Sequence, residues 1–259
     1  MRLVAVCALA LAVAACAHAA PQAAAYDSAA LPSGALGREI AYGRKIIMQT
    51  RRVLPRDVRA NMDCAACHIG GGTQARGGSF VGTFAAFPQW NGRARRVITL
   101  QDRLAECFLY SMNGRPPAYT SREMTALVAY IAWLSRGTPT GRGVPSSQRF
   151  AIALPNGRPD RSRGKVLYAQ SCAACHGANG AGGGAFPPLW GSASFNNGAG
   201  MAHVDRMTGF VYYNMPKNAP GSLSLQDAYD IAGFVLSHER PAFRRNAIVS
   251  FPALPARYF

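Results

Sequence analysis

The chain has 259 residues, enough for two domains of ordinary size, and 49% of them are hydrophobic. Its formal net charge of +16 at pH 7 comes from 28 Lys and Arg against 12 Asp and Glu. A positive surplus of this size predicts attraction for anions, which include an acidic partner protein, a membrane surface, nucleic acid and a small anionic substrate. No stretch after the N-terminal apolar run is long enough to cross a bilayer, so a transmembrane segment is not expected.

The N-terminus carries the features of a secretory signal peptide. Residues 1–2 are a short charged start, residues 3–15 are apolar, and residues 17–19 (Ala-His-Ala) offer an A-x-A cleavage site. We therefore predict a signal peptide over residues 1–19 and a periplasmic location, which argues against nucleic acid as a partner. The alternative to cleavage is a lipid anchor on Cys16, because this cysteine ends a sequence that resembles a lipoprotein box.

The first half of the mature chain shows helical spacing of apolar residues on either side of a glycine-rich loop. Residues 20–35 are rich in Ala, Pro and Ser, which predicts a flexible lead-in. The spacing then predicts a helix over residues 36–54, followed later by two helices with the N-caps Thr99 and Ser121. Residues 36–137 are predicted to form one domain, with its first and last helices crossing.

A five-residue motif, Cys-Ala-Ala-Cys-His, follows the first predicted helix at residues 64–68 and returns letter for letter at residues 172–176. This is the c-type haem attachment motif. Each thiol bonds to one vinyl group of the haem, and the adjacent histidine becomes the proximal iron ligand. One copy could also be a redox motif or half of a zinc site, but two identical copies predict two covalently attached haem c groups. The predicted haem-binding residues are Cys64, Cys67, His68, Cys172, Cys175 and His176.

The order of elements in the second half repeats that of the first. A helix precedes the second motif, a glycine-rich turn follows it, and two more helices come later, the last with Ser224 as its N-cap. We therefore predict an all-α fold of two tandem class I cytochrome c domains, each with a covalently bound haem. The remaining predicted segments are residues 138–159 as a linker, residues 160–240 as the second domain and residues 241–259 as an extended tail.

The second domain offers a methionine as the distal iron ligand. Met215 lies 39 residues after His176, directly before a proline and between two predicted helices. A methionine followed by proline in this loop is the usual distal ligand of class I cytochromes c. The alternatives are that Met215 is an ordinary loop or core residue and that His203 is the ligand. His238, late in the final helix, is assigned a surface or capping role.

The first domain offers a cysteine instead. Cys107 lies 39 residues after His68, the same offset, and it is the one cysteine of the mature chain that the haem motifs do not use. A thiolate ligand stabilises ferric iron and lowers the reduction potential relative to a methionine ligand, and the nearby Arg103 favours the thiolate. We predict Cys107 as the distal ligand. The alternatives are a buried inert cysteine and Met112 as the ligand.

Residues 102–114 (DRLAECFLYSMNG) resemble the distal-cysteine motif of the dihaem thiosulfate dehydrogenase family. Residues 127–135 and the region around Met215 are similar to later parts of that family, so the resemblance covers residues 36–241. It implies a periplasmic enzyme that joins two thiosulfates into tetrathionate, or runs the reverse reaction, at the Cys/His haem of the first domain. The His/Met haem of the second domain then transfers the electrons.

The resemblance also implies a substrate site. Arg93, Arg103 and Ser111 would surround a small anionic sulfur substrate beside the catalytic Cys107, and guanidinium and hydroxyl donors suit an oxoanion. The electron partner would be a c-type cytochrome or another redox protein. The competing predictions are a non-catalytic dihaem electron carrier, the electron-transfer subunit of a larger dehydrogenase and a haem-based sensor.

Overall fold

The structure is a computed structural model that describes residues 30–243. The predicted signal peptide, Cys16, most of the predicted lead-in and the predicted tail beyond residue 243 lie outside the described residues. Within residues 30–243 no helix combines the length and the apolar character needed to span a bilayer.

Helices make up nearly all of the regular secondary structure in residues 30–243, so the predicted all-α fold is confirmed. The helices are α1 (Gly34–Met48), α2 (Thr50–Val53), α3 (Ile69–Gly72), α4 (Leu100–Tyr110), α5 (Arg122–Leu134), α6 (Arg161–Ser171), α7 (Ala173–His176), α8 (Val204–Asn214) and α9 (Leu225–Leu236). Two short strands, β1 (Gln89–Asn91) and β2 (Arg96–Ile98), pair as an antiparallel hairpin that the sequence pattern did not predict.

The predicted helix over residues 36–54 is interrupted. Helix α1 ends at Met48, Gln49 has a non-helical backbone, and the single turn α2 follows. Just after the break the Thr50 hydroxyl accepts a hydrogen bond from the backbone N–H of Cys64 at 2.9 Å. The Asp63 carboxylate accepts another from the backbone N–H of Arg51 at 2.8 Å. The break therefore turns polar groups toward the first Cys-Ala-Ala-Cys-His motif.

Each half of the chain is closed by a close contact between its first and last helices. A Cβ added at Gly43 in α1 would overlap the carbonyl oxygen of Ala126 in α5. A Cβ added at Gly164 in α6 would likewise overlap the carbonyl oxygen of Asp230 in α9. The same contact therefore occurs twice, as the repeated order of elements predicts, and in both places only glycine lets the backbones approach so closely.

We expect Gly43→Ala to destabilise the protein by about 1–3 kcal/mol, because the added methyl group must push α1 away from a rigid backbone. The measurement is thermal unfolding of the haem-loaded protein, followed by circular dichroism. Gly92→Ala is the matched control, because a Cβ at Gly92 meets nothing within 4 Å. Equal unfolding temperatures for the two variants would contradict the close contact between α1 and α5.

Hydrogen bonds join the two halves directly. The Asn196 side chain donates to the carbonyl oxygen of Leu109 in α4 at 2.8 Å. The buried Asn214 side chain, at the end of α8, accepts from Gln74 and donates to the carbonyl oxygen of Arg76, each at 2.9 Å. These amides fix the end of α8, and a loop segment eight residues before its start, against the first half.

The connecting segment, residues 138–159, is packed against both halves. The backbone of Gly141 donates to the carbonyl oxygen of Ala85 at 2.8 Å. Phe150 is buried, and Gly209 in α8 lies so close to the carbonyl oxygen of Phe150 that a Cβ would overlap it. The segment therefore connects the loop before β1 to helix α8.

Candidate active site

The first motif holds its histidine in a defined orientation. The Nδ1 atom of His68 lies 2.6 Å from the carbonyl oxygen of Gly78. A carbonyl can only accept, so Nδ1 carries the proton and Nε2 is free to bind a metal, as is common for metal-ligating histidines. The ring stacks on Phe80 with 4.2 Å between centroids. Burial lowers the pKa of His68 to about 4, so the imidazole is neutral at pH 7.

The second motif repeats this arrangement. The Nδ1 atom of His176 lies 3.0 Å from the carbonyl oxygen of Pro187, which again leaves Nε2 free. Burial raises the pKa of the Cys64 and Cys67 thiols to about 12 and that of the Cys172 thiol to about 11. Burial from water is the cause for all three thiols. Such surroundings suit cysteines that form thioether bonds with the apolar edge of a haem.

Two adjoining cavities lie over the first motif and enclose about 510 and 620 Å³ of space, which includes open solvent at their mouths. Most of the walls are apolar, and the shared lining combines an imidazole, thiols and a thioether. The donor chemistry and the apolar walls fit a haem attached to the first motif. The residues that line both cavities are Cys64, His68, Arg103, Cys107, Met112 and Ser146.

Helix α4 presents three of the predicted site residues to these cavities. Arg103 and Cys107 lie four residues apart, which places them on one face of the helix, and Ser111 is the C-cap of the same face. Arg103 and Cys107 line both cavities, and Ser111 lines the larger one. The structure therefore brings together a thiol, a guanidinium and a hydroxyl beside His68.

Arg103 is held in place by a carboxylate. Its Nη1 atom donates to Glu106 at 3.2 Å, and Glu106 also accepts from the Nδ2 atom of Asn91 in β1 at 3.2 Å. The charge of the Cys107 sulfur raises the pKa of Arg103; burial opposes this and Glu106 adds to it. The sequence analysis did not single out Asn91 and Glu106, the two residues of this network beside Arg103. The one available signal was the spacing of three residues between Arg103 and Glu106.

Arg93 lies elsewhere. Its Nη1 atom donates to the carbonyl oxygen of Gly198 in the second half at 2.7 Å, and its guanidinium stacks on Tyr110 at 4.3 Å from the ring centroid. It lines neither of the two cavities. Arg206, at the start of α8, lines the larger cavity instead. No periodicity within the first half could have pointed to Arg206, because it comes from the other half.

Met215 and Cys107 share their offset from the motif histidine but not their place on the helix. Met215 is the C-cap of α8, and its N–H donates to the carbonyl oxygen of Val211 at 2.9 Å. Cys107 lies inside the last turn of α4, before its C-cap Ser111. The buried Met112, the alternative ligand, follows that cap and lines the same cavities as Cys107.

Two further histidines lie in residues 30–243, and their surroundings differ. His238 donates from Nδ1 to the carbonyl oxygen of Phe234 at 2.9 Å and stacks on Trp190 with 4.0 Å between ring centroids. These contacts describe a capping role at the end of α9. His203 is exposed at the start of α8.

The N-terminus of α4 is fixed by Asp102. Its carboxylate accepts hydrogen bonds from Arg96 at 2.9 Å, from the backbone of Thr99 at 2.8 Å and from the hydroxyl of Tyr119. Burial would raise the pKa of Asp102, but these hydrogen bonds outweigh it and lower the pKa to about 2. The network ties the hairpin to the helix that carries Arg103 and Cys107.

We expect Asp102→Asn to lower the thermal unfolding midpoint at pH 7, with a difference from wild type that shrinks on acidification. The folded pKa of about 2 lies below the ordinary value of 3.8, so the carboxylate stabilises the protein above about pH 4. That contribution is lost as the pH falls through the folded pKa. Unfolding midpoints at several pH values between 7 and 2 measure this, and a difference that stays constant below pH 4 would contradict it.

Comparison with known proteins assigns a class to each half. Residues 56–140 match the family described as SoxA/TsdA, cytochrome c domain, and residues 159–235 match the family described as cytochrome C oxidase, cbb3-type, subunit III. Each match contains one Cys-Ala-Ala-Cys-His motif. The chain is therefore a c-type cytochrome with two cytochrome c domains and two covalently bound haem c groups. The predicted tandem domains and the predicted haems are both confirmed.

Relatives narrow the assignment further. The thiosulfate dehydrogenase of Allochromatium vinosum is 42% identical over 227 residues, which cover 84% of this chain and 84% of that protein. The thiosulfate dehydrogenase of Stutzerimonas stutzeri is 40% identical over 216 residues, covering 82% and 70%. The chain belongs to the thiosulfate dehydrogenase family, and the resemblance found in the sequence is confirmed.

A solved structure supports the same assignment. The thiosulfate dehydrogenase (TsdBA) from Marichromatium purpuratum, in its as-isolated form, superposes with a TM-score of 0.78 at 35% identity. The superposition covers 89% of this chain and 53% of that one, so this chain spans about half the length of the solved protein.

Proposed function

We propose that this protein is a thiosulfate dehydrogenase-type oxidoreductase that couples two thiosulfates into tetrathionate, or catalyses the reverse reaction. The observation that carries the proposal is the face of α4, where Arg103, Cys107 and Ser111 line one cavity beside His68. Coupling two thiosulfates forms one sulfur–sulfur bond and releases two electrons. A site for this reaction must hold oxoanions next to an electron acceptor, and this face offers both kinds of group.

We propose residues 36–137 as the catalytic domain and residues 160–240 as the electron-transfer domain. When bound, each haem supplies a one-electron acceptor. The orientation of both motif histidines, with Nδ1 on a carbonyl and Nε2 free, supports their role as proximal ligands. The proposed attachment residues are Cys64, Cys67, Cys172 and Cys175. His68 and Cys107 would bind the iron of the first haem, and His176 and Met215 would bind that of the second.

Arg103 and Ser111 are proposed to bind the sulfonate oxygens of the substrate. A guanidinium donates two parallel hydrogen bonds to an oxoanion, and a hydroxyl adds a third donor. Unit charges 4 Å apart interact by about 4 kcal/mol at an effective dielectric of 20. A guanidinium in a partly dehydrated wall therefore attracts an anion more strongly than the same group does in bulk water. Arg93 lies outside both cavities and is left out of the proposed substrate contacts.

The cellular setting is proposed from the sequence. The signal peptide over residues 1–19 exports the chain to the periplasm, and a c-type cytochrome or another redox protein exchanges electrons with it. The surplus of positive charge favours an acidic surface on that partner.

An anaerobic assay of the purified protein tests the proposal, once an intact mass and haem staining show two haems on one chain. We expect thiosulfate to reduce an artificial acceptor such as ferricyanide, or tetrathionate to oxidise a reduced viologen, in the presence of the protein. A fully haem-loaded protein that supports neither reaction with any mediator would instead be a non-catalytic electron carrier.

A further inference from the structure

The cavity beside Cys107 has a wall from the other half of the chain. Gly200, Met201 and Arg206, which lie just before and within α8, line the larger cavity together with Arg103 and Cys107. The proposed active site therefore lies between the two cytochrome domains. The substrate contacts proposed above all come from the first domain.

Arg206 brings a charge to this wall that the described chain leaves unbalanced. Its side chain is half-buried, and it makes no hydrogen bond or ion pair with any residue in the range 30–243. Arg103, by contrast, is paired with Glu106 at 3.2 Å. Partial burial of a guanidinium is costly unless a counter-charge pairs with it, so an anion from outside the chain would stabilise Arg206.

The backbone next to Arg206 leaves room for the guanidinium. A Cβ built at Gly200 would stand 3.1 Å from Nη1 of Arg206, closer than most Cβ contacts. Glycine at this position lets the guanidinium lie directly against the backbone. The position of α8 is in turn fixed by Asn214, whose amide bonds to the first half.

We propose that Arg206 binds the second sulfur oxoanion, so that the substrate site spans both cytochrome domains. The proposal rests on the proposed function. Two thiosulfates carry a total charge of −4, and tetrathionate carries −2 once two electrons have left for the haems and the outer sulfurs have bonded. Arg103 and Glu106 together are neutral, so a second cation is needed where two dianions must lie side by side.

The test uses the haem-loaded full protein and the variants Arg206→Gln and Arg206→Lys. Arg161→Gln is the matched control, because Arg161 is exposed on α6 and lines neither cavity. Tetrathionate binding to the fully oxidised protein is measured by calorimetry, since the oxidised protein cannot turn it over. Thiosulfate KM and kcat and the midpoint potentials of both haems complete the comparison.

We expect Arg206→Gln to weaken tetrathionate binding by roughly tenfold to a hundredfold, the loss of one charge-assisted contact. The thiosulfate KM should rise more than kcat falls, Arg206→Lys should recover part of the affinity, and Arg161→Gln should match wild type. Unchanged tetrathionate affinity in Arg206→Gln, with or without a shift in a haem potential, would overturn the proposal, and such a shift would indicate pairing with a haem carboxylate.

The two proposals fail in different ways. If the wild type neither binds tetrathionate nor turns over either anion, the proposed function falls and the role of Arg206 falls with it. If the wild type binds and reacts but Arg206→Gln behaves like Arg161→Gln, only the role of Arg206 is wrong.

Discussion

Replacing Cys107 by glycine should lower thiosulfate-dependent turnover about a thousandfold, the scale expected when a group at the reacting centre is lost. Cys107 lies in the last turn of α4, lines both cavities with His68 and is not part of either haem motif. Glycine removes the sulfur and leaves the rest of the wall in place. The variant should still carry two haems by intact mass.

Spectroscopy separates the role of Cys107 from that of Met112, the other sulfur at the same cavities. If Cys107 is the distal ligand, electron paramagnetic resonance of the wild type shows a thiolate-type low-spin signal that Cys107→Gly abolishes. The signal of the second haem stays unaltered. Met112→Leu is the matched control, because it removes a neighbouring sulfur and keeps the volume. A first-haem spectrum that changes in Met112→Leu but not in Cys107→Gly would make Met112 the ligand.

Local chemistry explains what could be predicted from the sequence. The attachment motif is contiguous, so both haems follow from five residues each. The predicted N-caps are also local: Thr99, Ser121 and Ser224 each accept a hydrogen bond from the backbone N–H three residues later. The face of α4 with Arg103, Cys107 and Ser111 follows from helical spacing alone.

Contacts between distant parts of the chain explain what could not be predicted. The hairpin consists of two three-residue strands. It contributes Asn91, which donates hydrogen bonds to Glu106. Arg93 belongs to the same hairpin but is drawn to Gly198 in the second half. Arg206 reaches the cavity because the two halves dock in one particular way. No sequence period encodes that docking, so these positions had to come from the structure.

Arg103→Ala is expected to lower kcat/KM for thiosulfate roughly a hundredfold, because it removes a charged donor at the substrate and leaves a carboxylate behind. Glu106 has a side chain that is only 14% exposed, and in the wild type it is balanced by Arg103 at 3.2 Å. Without Arg103 its negative charge faces two dianions. Steady-state kinetics with both haems still reducible by dithionite measures the effect, and Arg115→Ala, an exposed change outside both cavities, is the control.

The double variant Arg103→Ala with Glu106→Gln tests this physical reason directly. If the stranded carboxylate contributes to the loss, neutralising it should return part of the activity, so the double variant should exceed Arg103→Ala. Glu106→Gln alone should raise KM, because Arg103 loses the anchor that aims it, even though a negative charge has left the site. Should Arg103→Ala react as fast as Arg115→Ala, then Arg103 does not contact the substrate, and the first domain binds its anion by other groups.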